Sequence, residues 1–190
     1  MATMIGFFLS MVILDNVILM HFVGVRPFIN ITKKQSAIGT GIAVITVMLL
    51  STIVSYVLFN YVLAPIGLEY LKLVMFALVI GCMVVLVSSC LKKYKPDLSE
   101  KIGVYVQLVA SNCAVLYVLL GNTSNNYGFV QSVVNGVGVA VGFLLIVYIF
   151  TMIRERLEAS DTLKSLKGSP IMLITAGIMA LALNGLAGIL

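Results

Sequence analysis

The sequence predicts an all-α integral membrane protein: six transmembrane helices arranged as two inverted three-helix repeats. They form a single domain over residues 1–190, with 1–95 as the first half and 96–190 as the second. Three observations carry this expectation. Hydrophobic residues make up 61% of the chain and charged residues 10%, with a mean hydropathy of +1.15, which is too apolar for a soluble surface. The apolar residues fall into six segments, each near the roughly 20 residues a spanning helix needs. The charges alternate sharply between successive links.

The first segment, Met4–Met20, has no Lys or Arg ahead of it and no small-residue cleavage site behind it, so it is expected as retained structure and not as a cleaved signal. It holds Asp15, the one carboxyl group well inside an apolar segment, beside Asn16. An ionisable residue at that depth is a candidate for an ion path, and its rival role is to bond a backbone or an amide on a neighbouring helix. Gly24 and Pro27 break the helix before the basic pair Lys33 and Lys34. His21, the sole histidine, lacks a second ligand at helical spacing and reads as a boundary residue, not a metal ligand.

The second and third segments are Ala37–Leu63 and Leu71–Leu91. The fourth, Ile102–Leu120, carries Gln107, Ser111, Asn112 and Cys113 within it. Such groups cost free energy in hydrocarbon unless they are bonded, so they are expected to face protein, water or a ligand. A thiol beside an amide is a plausible metal-ligand environment. The fifth and sixth segments are Phe129–Ile153 and Ile171–Leu190.

The links after segments one, three and five hold Arg26, Lys33, Lys34, Lys92, Lys93, Lys95, Lys101, Arg154, Arg156, Lys164 and Lys167, which is 11 of the 12 basic residues; the opposite side has Lys72. By the positive-inside rule these links are cytoplasmic and both termini face outward, giving a multi-pass protein of the cytoplasmic (inner) membrane. The net charge of +5 is thereby explained by the bilayer without a nucleic-acid partner. Gly39-Thr40-Gly41-Ile42-Ala43-Val44 matches Gly136-Val137-Gly138-Val139-Ala140-Val141, and Asn16-Val17-Ile18-Leu19 loosely matches the stretch from Asn112 to Leu116 at nearly the same offset. With three spans per half, the second half must be inverted, an arrangement that places functional sites near the midplane. Gly138 and Gly142 are spaced for close helix packing.

Several function classes are excluded. No Gly-rich phosphate loop follows a strand, and Gly39-x-Gly41 lies inside a membrane segment, so nucleotide binding is rejected. No nucleophile and base are paired for hydrolysis. The three cysteines, Cys82, Cys90 and Cys113, show no CxxC spacing, which argues against a disulfide framework or a self-contained metal site.

The order of motifs resembles a known family. Asn-x-x-Leu from Asn16, Phe22-x-Gly24-x-x-Pro27-Phe28, Lys33-Lys34, Asn112-Cys113-Ala114-Val115-Leu116, Ile153-Arg154-Glu155-Arg156-Leu157 and Leu173-Ile174-Thr175-Ala176-Gly177-Ile178-Met179 look like the membrane subunits of the Rnf ion-translocating electron transport complex, its A subunit in particular. The same family includes membrane subunits of the sodium-pumping NADH:quinone oxidoreductase. The resemblance covers nearly the whole chain.

It implies interrupted helices one and four and a homologous membrane partner of opposite topology. It also implies a 2Fe-2S iron-sulfur cluster shared between the two near mid-membrane, coupled to Na+ or H+ movement. Flavoprotein, ferredoxin-like and NADH-binding subunits would hold the flavin and NAD chemistry. Cys113 matches a family ligand position, with Asn112 beside it. The departures are equally specific: Arg26 stands where the family has its other cysteine, Gln107 replaces a helix-breaking proline, and Tyr117 replaces a glycine. A protonated guanidinium offers no lone pair to iron. Three explanations stay open: a three-thiolate site completed otherwise, rescue by Cys82, or a diverged scaffold without the cluster. A reading of another class is a small transporter or channel with Asp15, Asn16 and Asn112 as a redox-free ion site; a purely structural anchor is the third.

Overall fold

The structure, a computed structural model, describes residues 2–14, 16–21, 23, 34–94, 112–159 and 168–187. All described elements are helical. Asp15, Gly24, Arg26, Pro27, Gln107 and the first part of the fourth segment, 102–111, lie outside the described residues.

Helix α1 (Ala2–Leu9) widens into a π-helical turn at Ser10–Leu14 and then stops. A new short helix, α2 (Val17–His21), begins after Asn16. The amide of Asn16 makes the break: its Oδ1 accepts from the Ile18 N–H at 3.2 Å and its Nδ2 donates to the Val12 carbonyl at 3.2 Å. One carbonyl before the interruption and one N–H after it are thus bonded without water, which an apolar setting favours. The first apolar segment is therefore not one continuous helix, and it is divided ahead of the Gly24 and Pro27 that the sequence singled out.

Helix α3 (Lys34–Leu58) continues through a π-helical stretch, Phe59–Leu63, and a last turn, Ala64–Ile66. Pro65 has no N–H to extend the ladder, and Gly67, at φ +73°, closes the end in the left-handed conformation. A 3-10 turn, Glu69–Leu71, leads into α4 (Lys72–Tyr94). Helix α5 (Cys113–Ser124) starts abruptly at Asn112, α6 (Phe129–Ala159) follows a tight link in which Asn126 takes a positive φ of 50°, and α7 (Ser169–Ala187) completes the order.

Among the described residues three stretches are long and apolar enough to cross a membrane: Gly41–Leu63, Glu69–Cys90 and Phe129–Leu157. Cys113–Ser124 and Pro170–Gly185 are shorter apolar helices. Outward faces are apolar too, with Leu73, Val74, Leu78, Val85 and Leu86 of α4 exposed, the pattern of a surface meeting lipid or apolar partners. Tyr61 and Tyr70 stand exposed on either side of the α3–α4 link, where amphipathic rings suit a membrane–water boundary.

The core is centred on the pairing of α3 with α6. Val44, Val47, Met48, Ala140 and Phe143 are fully buried between them. Small residues set the approach. A Cβ on Gly41 would lie 2.5 Å from Leu144, and one on Gly136 would lie 2.9 Å from the Thr52 hydroxyl. Position 41 thus meets 144 while 52 meets 136, so the two helices run antiparallel. Helix one is seated on the other glycines of α6: Gly138 lies under Phe8 and Met11, and Gly142 under Val12 and Asn16. Here both numbers rise together, so α1 runs parallel to α6.

Candidate functional site

Asn112 organises the start of α5. Its Oδ1 accepts from the Ala114 N–H at 3.1 Å, capping a helix whose first turn would otherwise present orphan donors in an apolar interior. The residue is 3% exposed, and its Nδ2 has no hydrogen-bond partner among the described residues. Cys113 is the first helical residue and its side chain is exposed, while Ala114 and Val115, which follow it, are fully buried. Tyr117, one turn further on the same face, is exposed as well. Its ring lies 4.8 Å from that of His21, centroid to centroid, with the planes at 35°. The end of α2 therefore sits beside the first turns of α5.

The other sulfur positions lie elsewhere. On α4 the packed side chains are Phe76, Val79, Ile80 and Val84; Cys82, about 200° around the helix from Ile80, is exposed, so it points away from this chain's own interior. Cys90 is also exposed, at a place that suits an interface and not burial. Among the described residues no three His, Cys, Asp or Glu side chains gather where they could hold a metal ion.

That donor set bears on an iron–sulfur cluster. A cluster takes four protein ligands, and the described part of this chain offers one thiol at an exposed helix start with an unspent amide donor beside it. The exposed thiol fits one share of a cluster held between subunits. The described residues do not fit a cluster held by this chain alone.

A second polar constellation lies outside the expectations drawn from sequence. Asn135 Nδ2 on α6 donates to Asn122 Oδ1 on α5 at 2.6 Å, and Asn122 Nδ2 reaches the Ser132 carbonyl at 3.4 Å. Ser51 and Ser55, one turn apart on α3, are buried with hydroxyls that lack a hydrogen-bond partner among the described residues, as does Asn135 Oδ1. Ser55, Asn122 and Ser132 line a cavity of about 210 Å³ bordered by the exposed Asn126 and Gly128 of the α5–α6 link. The signal was present as Ser51-Thr52 and Ser55 in the second apolar segment and Ser132 and Asn135 in the fifth, polar residues at helical spacing within hydrocarbon-length runs.

Comparison with known proteins agrees with the motif order. The family described as "Rnf-Nqr subunit, membrane protein" matches residues 4–190. The A subunit of the Na(+)-translocating ferredoxin:NAD(+) oxidoreductase complex of Acetobacterium woodii is 43% identical over 187 residues, covering 98% of this chain and 97% of that protein. The A subunit of the ion-translocating oxidoreductase complex of Aliivibrio salmonicida is 41% identical over 179 residues, and its Vibrio cholerae counterpart is 40% identical over 179; each alignment covers 94% of this chain and 93% of the relative.

Proposed function

This chain belongs to the Rnf-Nqr family of membrane subunits, and we propose that it is the A-type subunit of an ion-translocating oxidoreductase complex, carrying electrons through the membrane in step with Na+ or H+ movement. The complex does the NAD and flavin chemistry in other subunits; this chain supplies membrane scaffold, one share of a redox site and part of the ion path. The observation that carries the reading is the start of α5, where an Asn-capped helix begins on an exposed thiol, Cys113.

In this proposal Cys113 is one ligand of a 2Fe-2S cluster shared with a homologous subunit of opposite topology. When bound, such a cluster exchanges single electrons at a potential set by its ligands, hydrogen bonds and exposure. The chain's own contribution is positional. Asn112 fixes the helix start on which the thiol stands, and its unspent N–H groups favour sulfur that carries negative charge. The buried residues Ala114 and Val115 anchor that turn to the core. With Arg26 in place of the family's other cysteine, the remaining ligands come from the partner, from Cys82 or from a non-thiolate group.

Six spans in two inverted halves form part of the same proposal. The parallel run of α1 with α6 and the antiparallel run of α3 with α6 support it, because spans one and five share a direction and spans two and five oppose when all six cross. With basic links on the cytoplasmic side, both termini face outward and the α5–α6 link lies on the outer surface. Asp15, next in sequence to the capping Asn16, is proposed as the ionisable group of the ion path.

A second reading, an ion-conducting subunit without a cluster, is favoured by the neutral polar cavity between α3, α5 and α6. Electron paramagnetic resonance of the dithionite-reduced purified complex separates the two, with iron and acid-labile sulfide assayed per copy and Cys113→Ala alongside. Loss of a cluster signal in the variant supports the redox role. An unchanged spectrum removes Cys113 from the ligand set.

A further inference from the structure

We propose that the cavity between α3, α5 and α6 is a vestibule that binds a monovalent cation, through neutral oxygen atoms, at the outer end of the ion path. This site rests on the reading of the chain as part of an ion-moving complex and adds to it.

Hydrogen-bonding capacity is left unspent around the cavity. Ser55 is 3% exposed and lines it, and its Oγ has no partner among the described residues. Ser51 Oγ, one turn deeper, and Asn135 Oδ1 are in the same condition. Leaving such groups dry is costly, so a roomy polar cavity beside them is expected to hold water or a ligand. The identity of the spare atoms selects among ligands. Both Nδ2 groups of the asparagine pair are engaged, with Asn122 Oδ1 and the Ser132 carbonyl as their acceptors. The described polar atoms here that make no bond at all, Ser51 Oγ, Ser55 Oγ and Asn135 Oδ1, are all oxygens able to accept, which favours a cation over an anion. Among the described residues no carboxylate lines the cavity, and divalent ions are held by carboxylates. A monovalent ion is the species that neutral oxygens can coordinate and still release.

The site is open at one end and closed at the other. Its border is the exposed link around Asn126 and Gly128. Beyond Thr52, whose hydroxyl faces Gly136, the helices pack through Val44, Val47, Met48, Val139 and Ala140, all buried, and the next described polar side chain set against α6 is Asn16 at Gly142, about 9 Å further along the axis. Among the described residues the cavity is thus an entrance or exit with an apolar floor and not a continuous channel.

The test uses the assembled complex in whole cells. Ser55→Cys is treated from outside with a membrane-impermeant cationic thiol reagent, in sodium or in choline medium, with the wild-type complex giving the background from Cys82, Cys90 and Cys113. We expect labelling from outside that slows in sodium, by about sixfold when sodium is about five times its dissociation constant. Thr123→Cys, at the half-buried wall of the same cavity, gives the same readout should Ser55→Cys fail to assemble. Absence of labelling from outside, or labelling equal in sodium and choline, overturns the proposal. The wild-type complex in vesicles is assayed separately for ion uptake driven by electron transfer. If that coupling is absent the reading of the chain fails; if it is present while labelling ignores the cation, only the vestibule fails.

Discussion

Asn16 and Asn112 begin two different helices in the same way: each side-chain Oδ1 accepts the N–H of the residue two places on, at 3.2 Å to Ile18 and 3.1 Å to Ala114. Both residues are almost completely buried, at 2% and 3% exposure. They differ at the other amide atom. Asn16 Nδ2 is spent on the Val12 carbonyl, whereas Asn112 Nδ2 has no partner among the described residues. The first asparagine is thus structural on both sides, and the second holds one hydrogen-bonding group in reserve beside a thiol.

That difference can be read by substitution. Asn112→Ser keeps a side-chain oxygen able to cap and should hold the stability of α5 to within about 0.5 kcal/mol, whereas Asn112→Ala loses the cap and should cost about 1 kcal/mol. Thermal unfolding of the detergent-solubilised complex measures both. If the spare amide donates to a cluster sulfur, Asn112→Ser should also lower the midpoint potential, because that hydrogen bond favours the more negative reduced state. A potential equal to wild type would reduce Asn112 to a cap.

Much of this was legible beforehand, and the limits have a physical cause. Hydropathy found the three long apolar helices because hydrocarbon length imposes about 20 residues on a spanning helix, and the Asn16 and Asn112 stretches stood out because amides are costly there. Hydropathy could not say which face of a helix meets protein. In α4 the outward side chains are as apolar as those packed inside, so Cys82 gave no sign that it faces away from Ile80. An interruption of helix one was expected, but at Gly24 and Pro27; its place at Asn16 shows only in the bonds that the amide makes to Val12 and Ile18. The cavity polar groups were visible singly, but their assembly depends on the register of α3 against α6, set by Gly41, Thr52, Gly136 and Leu144.

The glycines of α6 give a paired prediction with one on α5. At Gly142 an added Cβ would lie 2.8 Å from the Val12 carbonyl oxygen, a backbone atom, and 2.8 Å from Asn16 Nδ2. Gly142→Ala should push helix one off α6 and cost about 1–3 kcal/mol, seen as reduced yield and an earlier melting transition of the complex. At Gly121 nothing lies within 4 Å of such an atom. Gly121→Ala should be neutral or stabilise by up to about 1 kcal/mol. Equal effects at the two positions would mean that helix one is not seated on Gly142.

Asp15 is placed by sequence beside the Asn16 cap, and a unit charge near a cation contributes about 1–4 kcal/mol at short range in a partly shielded setting. Asp15→Asn should therefore raise the sodium concentration for half-maximal uptake by about tenfold or more, the equivalent of about 1.4 kcal/mol or more. The measurement is sodium or proton uptake into vesicles carrying the assembled complex. Uptake unchanged in both amount and concentration dependence would take the carboxylate out of the ion path.

The bond between Asn135 Nδ2 and Asn122 Oδ1, 2.6 Å long and buried, supplies a test of whether the cavity polarity serves stability or transport. Removing one partner strands the other, so Asn122→Leu or Asn135→Leu alone should each cost about 1–3 kcal/mol. Replacing both with leucine removes the stranded group and should be much less damaging than the sum, giving a coupling energy within about 0.5–3 kcal/mol in a double-mutant cycle. Since Leu and Asn differ little in length, the double variant should assemble. It would then present an apolar wall where the proposed vestibule needs oxygen, so ion uptake should fall while melting recovers. Were uptake to recover together with stability, the pair would be a packing device, and the ion would have to pass elsewhere.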